Sequence, residues 1–138
     1  MSVIHPGAAE AIEADAGILQ AFGMRVQRAQ EGVCELTVQV PAALINAGGY
    51  AHGSISYSMM DTAAAYALRS LERRGVTSQG SISYVRGAGV GSELLARVTV
   101  ASLTRRVATL RGEVMVVDGD ESQLAAHGSF VFQLRAEG

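Results

Sequence analysis

The strongest indication of the fold is the stretch GSISYSMMDTAAAYALRSLER at residues 53–73, which we predict to be the longest helix of the chain. One more arginine and then Gly75 follow it, a normal signal for the end of a helix. Alanine, methionine, leucine and isoleucine cover most of its circumference. A helix that is apolar on nearly all sides is buried, so we expect a sheet to curl around it.

The segments around this helix read mainly as strands. Upstream, we predict a short helix over residues 8–22, ended by Gly23, and one or two strands that include an alternating one at 33–40. Downstream, runs rich in β-branched residues predict four strands at 81–85, 94–103, 107–117 and 124–134, with a hairpin turn at Asp118-Gly119-Asp120. Adjacent strands favour antiparallel pairing, so the expected fold class is α+β.

Length and charge limit the classes of function. The 138 residues, 49% of them hydrophobic, suit a single domain spanning 1–138. The net charge of −2 offers no basic field for nucleic acid. All 11 basic residues are arginine, which excludes lysine Schiff-base chemistry and the lysine of a phosphate-binding loop. Any anionic ligand must be bound by arginine, backbone N–H groups or water.

Neither a metal site nor a membrane segment is expected. The single cysteine, Cys34, cannot form an intrachain disulfide or a cysteine-rich zinc site, and no two histidines have helical metal-ligand spacing. No apolar run is long enough to span a membrane, and residues 1–6 do not resemble a signal peptide. We therefore expect a cytoplasmic protein that binds neither membranes nor nucleic acid.

Asp61 does not fit its apolar helix. Burying an unpaired carboxylate is costly, yet no basic residue stands three or four positions away on either side. Asp61 either bonds a hydroxyl such as that of Ser58 or Thr62, or bonds a group elsewhere in the fold, or is held in a cleft for catalysis. Spacing alone does not separate these interpretations.

The approach to the helix favours the catalytic interpretation. The sequence Asn46-Ala-Gly-Gly-Tyr-Ala-His52-Gly53-Ser54 leads into the helix N-terminus. Such a terminus offers unpaired N–H groups and the positive end of the helix dipole. A glycine there lets a ligand approach the backbone closely. These are the requirements of an oxyanion hole.

The same residues carry a family resemblance. Asn46, Gly49, His52 and Gly53, followed by Asp61-Thr62-Ala63, form a motif that resembles the hot-dog-fold acyl-CoA thioesterases, in particular the PaaI-like subgroup of phenylacetic-acid degradation. The resemblance continues through Ser81-Ile-Ser-Tyr-Val-Arg86 and covers about residues 17–135. It implies a hot-dog fold, with an antiparallel sheet of five to six strands wrapped around the long central helix.

The resemblance implies hydrolysis of an aryl-acetyl or medium-chain acyl-CoA to the free acid and coenzyme A, with no cofactor beyond the coenzyme A of the substrate. A free thiol has a pKa of about 8.5, so the thiolate leaves readily without a dedicated general acid. The backbone N–H of Gly53 would polarise the carbonyl, and Asp61 would activate water or attack directly. Asn46 and His52 would fix the loop or contact the carbonyl side. Thr77 would orient the water or only pack within its strand.

The remaining candidates concern the coenzyme A and acyl groups. Arg105 and Arg106 either bind the phosphates of coenzyme A or are two solvated charges at a turn, and Arg86 is a weaker candidate. Ser54 stands where the family frequently has a second glycine, and would narrow the space near the thioester. Met60 belongs to an apolar wall that indicates an adaptable acyl pocket.

Helix arithmetic predicts a site shared between two subunits. Gly53 and Asp61 are eight residues apart, which is about 12 Å along a helix, whereas reacting atoms must lie within about 3–3.5 Å of each other. Two antiparallel copies of the helix would bring Gly53 of one subunit near Asp61 of the other. We therefore expect an obligate two-fold homodimer with two composite sites. The resemblance implies that such dimers often pair into homotetramers.

Two other functions remain open at this point. One is a non-catalytic domain of the same fold that binds or senses acyl-CoA, against which the poorly partnered Asp61 argues. The other is a hot-dog hydratase. Those enzymes pair an aspartate with a histidine at short spacing, and no histidine follows Asp61 within the next turns of its helix.

Overall fold

One antiparallel sheet of six strands organises the chain. The structure, a computed structural model, describes residues 3–135. The strands are β1 (Met24–Gln30), β2 (Val33–Gln39), β3 (Gly75–Tyr84), β4 (Glu93–Leu103), β5 (Val107–Asp118) and β6 (Glu121–Leu134), in the spatial order β1-β2-β4-β5-β6-β3. Every neighbouring pair is antiparallel. The predicted α+β architecture is confirmed.

The helices are α1 (Pro6–Ala14), α2 (Ala16–Phe22) and α3 (Gly53–Arg69), with a short 3₁₀ turn at Ala42–Leu44. The prediction of one helix over 8–22 is wrong at Asp15, whose backbone leaves the helical conformation. The carboxylate of Asp15 accepts the hydroxyl of Tyr66 at 2.8 Å, which fixes the break against α3. The predicted stop at Gly23 is confirmed, because this residue ends α2 with a φ of 71°.

Helix α3 lies on the inner face of the sheet and packs mainly on β4 and β2. The side chains that it buries are Ile55, Ser56, Met59, Met60, Ala63, Ala64, Tyr66, Ala67 and Leu68. The helix ends at Arg69, earlier than predicted, because the N–H of Arg73 turns back to the carbonyl of Leu68 at 3.0 Å. The charged segment that follows is therefore a turn into β3.

Two strands differ from the sequence-based prediction. Strand β1 is the second of the one or two strands expected before α3, and the sequence does not predict its position because MRVQRAQ has little hydrophobic alternation. Strand β3 begins at Gly75, whereas the sequence predicted a start at residue 81. The prediction began too late because the first half of the strand is polar and mostly exposed. The hairpin between β5 and β6 is confirmed, with Asp118 paired to Glu121 and Gly119 at a φ of 61°.

The two edges of the sheet differ in whether another segment of the chain covers them. Ile4 forms a parallel bridge to Ala29 on the outer side of β1, so the N-terminal segment covers that edge. Strand β3 has β6 on one side and no described neighbour on the other. A long open edge is a template for pairing with another strand. None of the helices within residues 3–135 is long and apolar enough to cross a membrane.

Candidate active site

His52 caps the N-terminus of α3. Its Nδ1 accepts the backbone N–H of Ser54 at 3.0 Å, and the Ser54 hydroxyl lies 2.8 Å from the same nitrogen. Because Nδ1 is the acceptor, a neutral ring in this arrangement carries its proton on Nε2. The cap satisfies one of the free N–H groups of the first turn and fixes where the helix begins.

Gly53, the first residue of α3, is held by a tyrosine from β3. The hydroxyl of Tyr84 donates to the carbonyl of Gly53 at 2.7 Å. A Cβ on Gly53 would lie 2.9 Å from that hydroxyl oxygen, so any larger residue would displace the ring. Partial burial raises the pKa of the Tyr84 hydroxyl, which keeps it a donor. Tyr84 was not singled out from the sequence, although it lies inside the family-like segment before Arg86.

Asn46 builds the loop that leads to this helix. Its side-chain oxygen accepts the N–H groups of Gly48 at 2.9 Å and Tyr50 at 3.1 Å. Its own N–H donates to the carbonyl of Tyr50 at 2.7 Å. These bonds close a compact turn in which Gly49 takes a φ of 88°. The contacts made by Asn46 within the described residues are thus those of a residue that fixes the loop.

A groove of about 740 Å³ opens at this end of α3. Among the residues predicted for the site, those lining it are Asn46, His52, Gly53, Ser54 and Arg86, and Tyr84 joins them. The structure therefore brings together the loop, the helix N-terminus and one arginine. We call this opening the helix groove.

Asp61 and Thr77 form a second group, two helical turns away. The hydroxyl of Thr77 donates to Asp61 Oδ1 at 2.7 Å, joining β3 to α3. Asp61 is half-buried, and within residues 3–135 no arginine or histidine forms an ion pair with it. Neither residue lines the helix groove. The hydroxyl that Asp61 bonds belongs to a distant strand rather than to Ser58 or Thr62.

The other predicted binding residues lie elsewhere. Met60 is fully buried, and its thioether packs against Gly112 of β5, so it presents no surface to a ligand in the single chain. Arg105 and Arg106 are exposed in the turn before β5 and line a different groove. Of the three predicted arginines, Arg86 is the one that lines the helix groove beside Gly53.

Comparisons with known proteins identify the family of the chain. The thioesterase superfamily model matches residues 48–123. A putative esterase of Deinococcus radiodurans is 30% identical over 107 residues, covering 78% of this chain and 71% of that protein. A single-residue mutant of the phenylacetic acid degradation protein PaaI from Thermus thermophilus is 30% identical, with a TM-score of 0.76 over 84% of this chain and 97% of that one.

The PaaI protein of Escherichia coli shows the same fold over nearly the whole length. Its TM-score is 0.87 at 24% identity, covering 99% of this chain and 98% of that one. These findings favour a thioester hydrolase over the sensor and hydratase alternatives. The chain belongs to the thioesterase superfamily, as a hot-dog thioester hydrolase of the PaaI-like type.

Proposed function

We propose that two copies of this chain together hydrolyse the thioester of an aryl-acetyl-CoA or medium-chain acyl-CoA. The observation that carries the proposal is the separation of two groups on α3. Gly53 is fixed by Tyr84 at one end of β3, and Asp61 is fixed by Thr77 at the other.

The chemistry requires a polarised carbonyl and a nucleophile. The N–H of Gly53, at the positive end of the helix dipole, binds the carbonyl oxygen as charge develops there. Asp61 takes a proton from water, whose oxygen attacks the carbonyl carbon. The C–S bond then breaks, and the thiolate of coenzyme A leaves and is protonated. Direct attack by Asp61, giving an anhydride that water opens, leads to the same products.

One chain cannot place both groups on one thioester. Eight residues separate Gly53 from Asp61, a rise of about 12 Å. A second copy, related by a two-fold axis, supplies the missing half. The open edge of β3 supports this assembly, since it carries exposed apolar side chains: Val76 is 60% exposed, Tyr84 is 55% exposed, and Val85, just beyond the strand, is 54% exposed.

The contacts between α3 and β3 support one position for this axis. Tyr57 stands midway between Gly53 and Asp61 in the sequence, and its hydroxyl packs on the backbone of Gly80. Gly80 in turn lies about midway between Thr77 and Tyr84. A two-fold axis that runs beside this contact, just outside the open edge of β3 and perpendicular to the strand, exchanges the two ends of both elements. Asp61 and Thr77 of one subunit then lie beside Gly53 and Tyr84 of the other. Pairing of such dimers into tetramers stays a prediction.

Thiol release from a panel of acyl-CoA esters tests the proposal. We expect release with the wild type, and a fall in kcat of about 10²–10⁴-fold for Asp61→Asn. Asp15→Asn is the matched control, because Asp15 also accepts a hydroxyl yet lies outside both groups. The proposal is wrong if no ester is cleaved, or if Asp61→Asn retains the wild-type rate.

A further inference from the structure

The backbone N–H of Gly53 is the donor on which the proposed reaction depends. Within residues 3–135 no group accepts this N–H, although Gly53 begins α3 and lines the helix groove. The next N–H of the helix, that of Ser54, is already bound by the ring of His52. Of these two donors at the start of α3, it is therefore Gly53 that offers a free N–H to a substrate carbonyl.

Hydrogen bonds fix the two peptide groups that meet at Gly53. In the group before it, the carbonyl of His52 accepts the N–H of Ile55 at 3.0 Å. In the group after it, the carbonyl of Gly53 accepts the hydroxyl of Tyr84 at 2.7 Å. The N–H of the same group, which belongs to Ser54, donates to Nδ1 of His52 at 3.0 Å. Among these partners, Tyr84 is the one that comes from a different part of the chain.

The ring of Tyr84 also packs against Gly53. A Cβ on Gly53 would lie 2.9 Å from the hydroxyl oxygen of Tyr84 and 3.0 Å from the ring carbon that bears it. Glycine has no side chain to restrict its backbone, so its φ and ψ angles depend on what its peptide groups contact. Tyr84 therefore restrains this glycine in two ways, through a hydrogen bond and through the bulk of its ring.

Tyr84 is itself anchored at the end of β3. It pairs with Ala126 of β6. The next two N–H groups, those of Val85 and Arg86, both donate to the carbonyl of Ala125, at 2.7 and 3.1 Å. The hydroxyl of Tyr84 thus joins the first residue of α3 to a strand end that the sheet holds in place.

Tyr84 also lies where the proposed partner subunit meets this chain. It is 55% exposed in the single chain, and the two-fold axis proposed above sets Asp61 and Thr77 of one subunit beside Gly53 and Tyr84 of the other. The second β3 strand then covers the tyrosine and excludes water from its hydroxyl. A hydrogen bond is stronger in such surroundings, so pairing of the subunits holds the carbonyl of Gly53 more firmly.

We propose that Tyr84 is a positioning residue for thioester hydrolysis. Its hydroxyl holds the carbonyl of Gly53 and thereby orients the free N–H of Gly53 toward the oxygen of the thioester. Donors of this kind accelerate a reaction because they point in advance at the place where negative charge develops. Tyr84 transfers no proton and acts through Gly53. This inference rests on the role of Gly53 in the proposed function.

Tyr84→Phe tests this role, because it removes the hydroxyl and keeps the ring. We expect kcat for an acyl-CoA to fall about tenfold while KM stays within about twofold of the wild-type value. Loss of an oxyanion-hole donor itself costs about 10²–10³-fold, and a donor that is only loosened costs less. Tyr66→Phe is the matched control, because it removes a hydroxyl bond of 2.8 Å, to Asp15, outside the site. It should lower the free energy of unfolding and leave kcat unchanged.

A ketone analogue of the substrate gives a second readout, which a merely structural role would not change. In this analogue a methylene group replaces the thioester sulfur, so the carbonyl binds and is not cleaved. A hydrogen bond to the carbonyl oxygen lowers the C=O stretching frequency, which infrared difference spectroscopy of an isotope-labelled carbonyl measures. We expect a lower frequency on the wild type and on Tyr66→Phe than on Tyr84→Phe.

Four results would overturn the proposal. They are a wild-type kcat in Tyr84→Phe, a rise in its KM in place of the fall in kcat, an equal fall of kcat in Tyr66→Phe, and a wild-type carbonyl frequency of the ketone on Tyr84→Phe. Failure of the underlying function is a separate result. A wild-type protein that cleaves no acyl-CoA contradicts the thioesterase proposal itself, whereas an active wild type that Tyr84→Phe matches in kcat and in carbonyl frequency contradicts only the role of Tyr84.

Discussion

Thr77 on β3 donates its hydroxyl to Asp61 on α3 at 2.7 Å, and this bond joins the central helix to the strand at the open edge of the sheet. The bond from Thr77 engages Oδ1 of the Asp61 carboxylate. The other oxygen, Oδ2, accepts no hydrogen bond within residues 3–135. A carboxylate held at one oxygen and open at the other is oriented to bind water or to attack.

The bond predicts a selective effect of Thr77 substitutions. Thr77→Val keeps the shape of the side chain but removes the donor, so we expect kcat to fall about tenfold while KM changes little. Thr77→Ser keeps the hydroxyl and should retain most of the activity. Steady-state kinetics with one acyl-CoA distinguish the two variants. Wild-type kcat in Thr77→Val would show that the hydroxyl only packs.

The shared site predicts complementation between inactive variants. Asp61→Ala and Gly53→Val should each be inactive alone, whereas the purified mixed dimer regains one of its two sites and about half of the wild-type activity. Differently tagged subunits, co-expressed and purified on both tags, provide that dimer. Mixing Asp61→Ala with Asp61→Asn is the control, because both variants lack the same half. No recovery in the purified mixed dimer would mean that each chain carries a complete site.

His52 is predicted to act through the cap that it provides to α3. His52→Ala removes the acceptor of the Ser54 N–H and should lower the free energy of unfolding by about 1 kcal/mol. His52→Asn supplies an oxygen acceptor and should restore both stability and kcat. Denaturant titration and kinetics on the same samples check this. Normal stability with a large loss of kcat in His52→Asn would instead show that the imidazole ring of His52 contacts the carbonyl group of the thioester.

The contact of Met60 with Gly112 predicts coupled effects on stability. A Cβ on Gly112 would lie 2.9 Å from the Met60 sulfur, so Gly112→Ala should cost about 1–3 kcal/mol through overpacking. Met60→Ala should cost about 2–5 kcal/mol through the cavity that it leaves. The double variant should cost less than the sum, because the new methyl group enters that cavity. Urea unfolding of the four proteins measures the coupling, and strict additivity would contradict it.

Met60→Leu separates packing from substrate binding. This substitution nearly conserves volume, and Met60 is fully buried in the single chain. We therefore expect its KM for acyl-CoA to equal that of the wild type. A changed KM at unchanged stability would show that Met60 contacts the acyl group, as the sequence predicts.

The elements that the sequence predicted well are those whose pattern is local. The buried helix, the alternation of β2 and the turn at Gly119 depend on neighbours within a few residues. Strand β1 lacks such a pattern because its register shifts between Val26 and Arg28, which breaks the alternation. The first half of β3 lacks one because it lies mostly exposed at the open edge of the sheet. The helix break at Asp15 has no local pattern either, because it depends on a contact that is distant in the sequence. The Tyr66 hydroxyl that the Asp15 side chain accepts is 51 residues away.

The sequence by itself determined the family, the apolar central helix, and the distance between Gly53 and Asp61, because helical rise per residue is a fixed local property. Only the tertiary structure decided that Thr77 holds Asp61, that Tyr84 holds Gly53, and that Met60 faces the core. It also separated Arg86 from Arg105 and Arg106, which lie in different grooves. These relationships depend on which strands become neighbours in the sheet. Strand order arises from long-range packing, which no local spacing encodes.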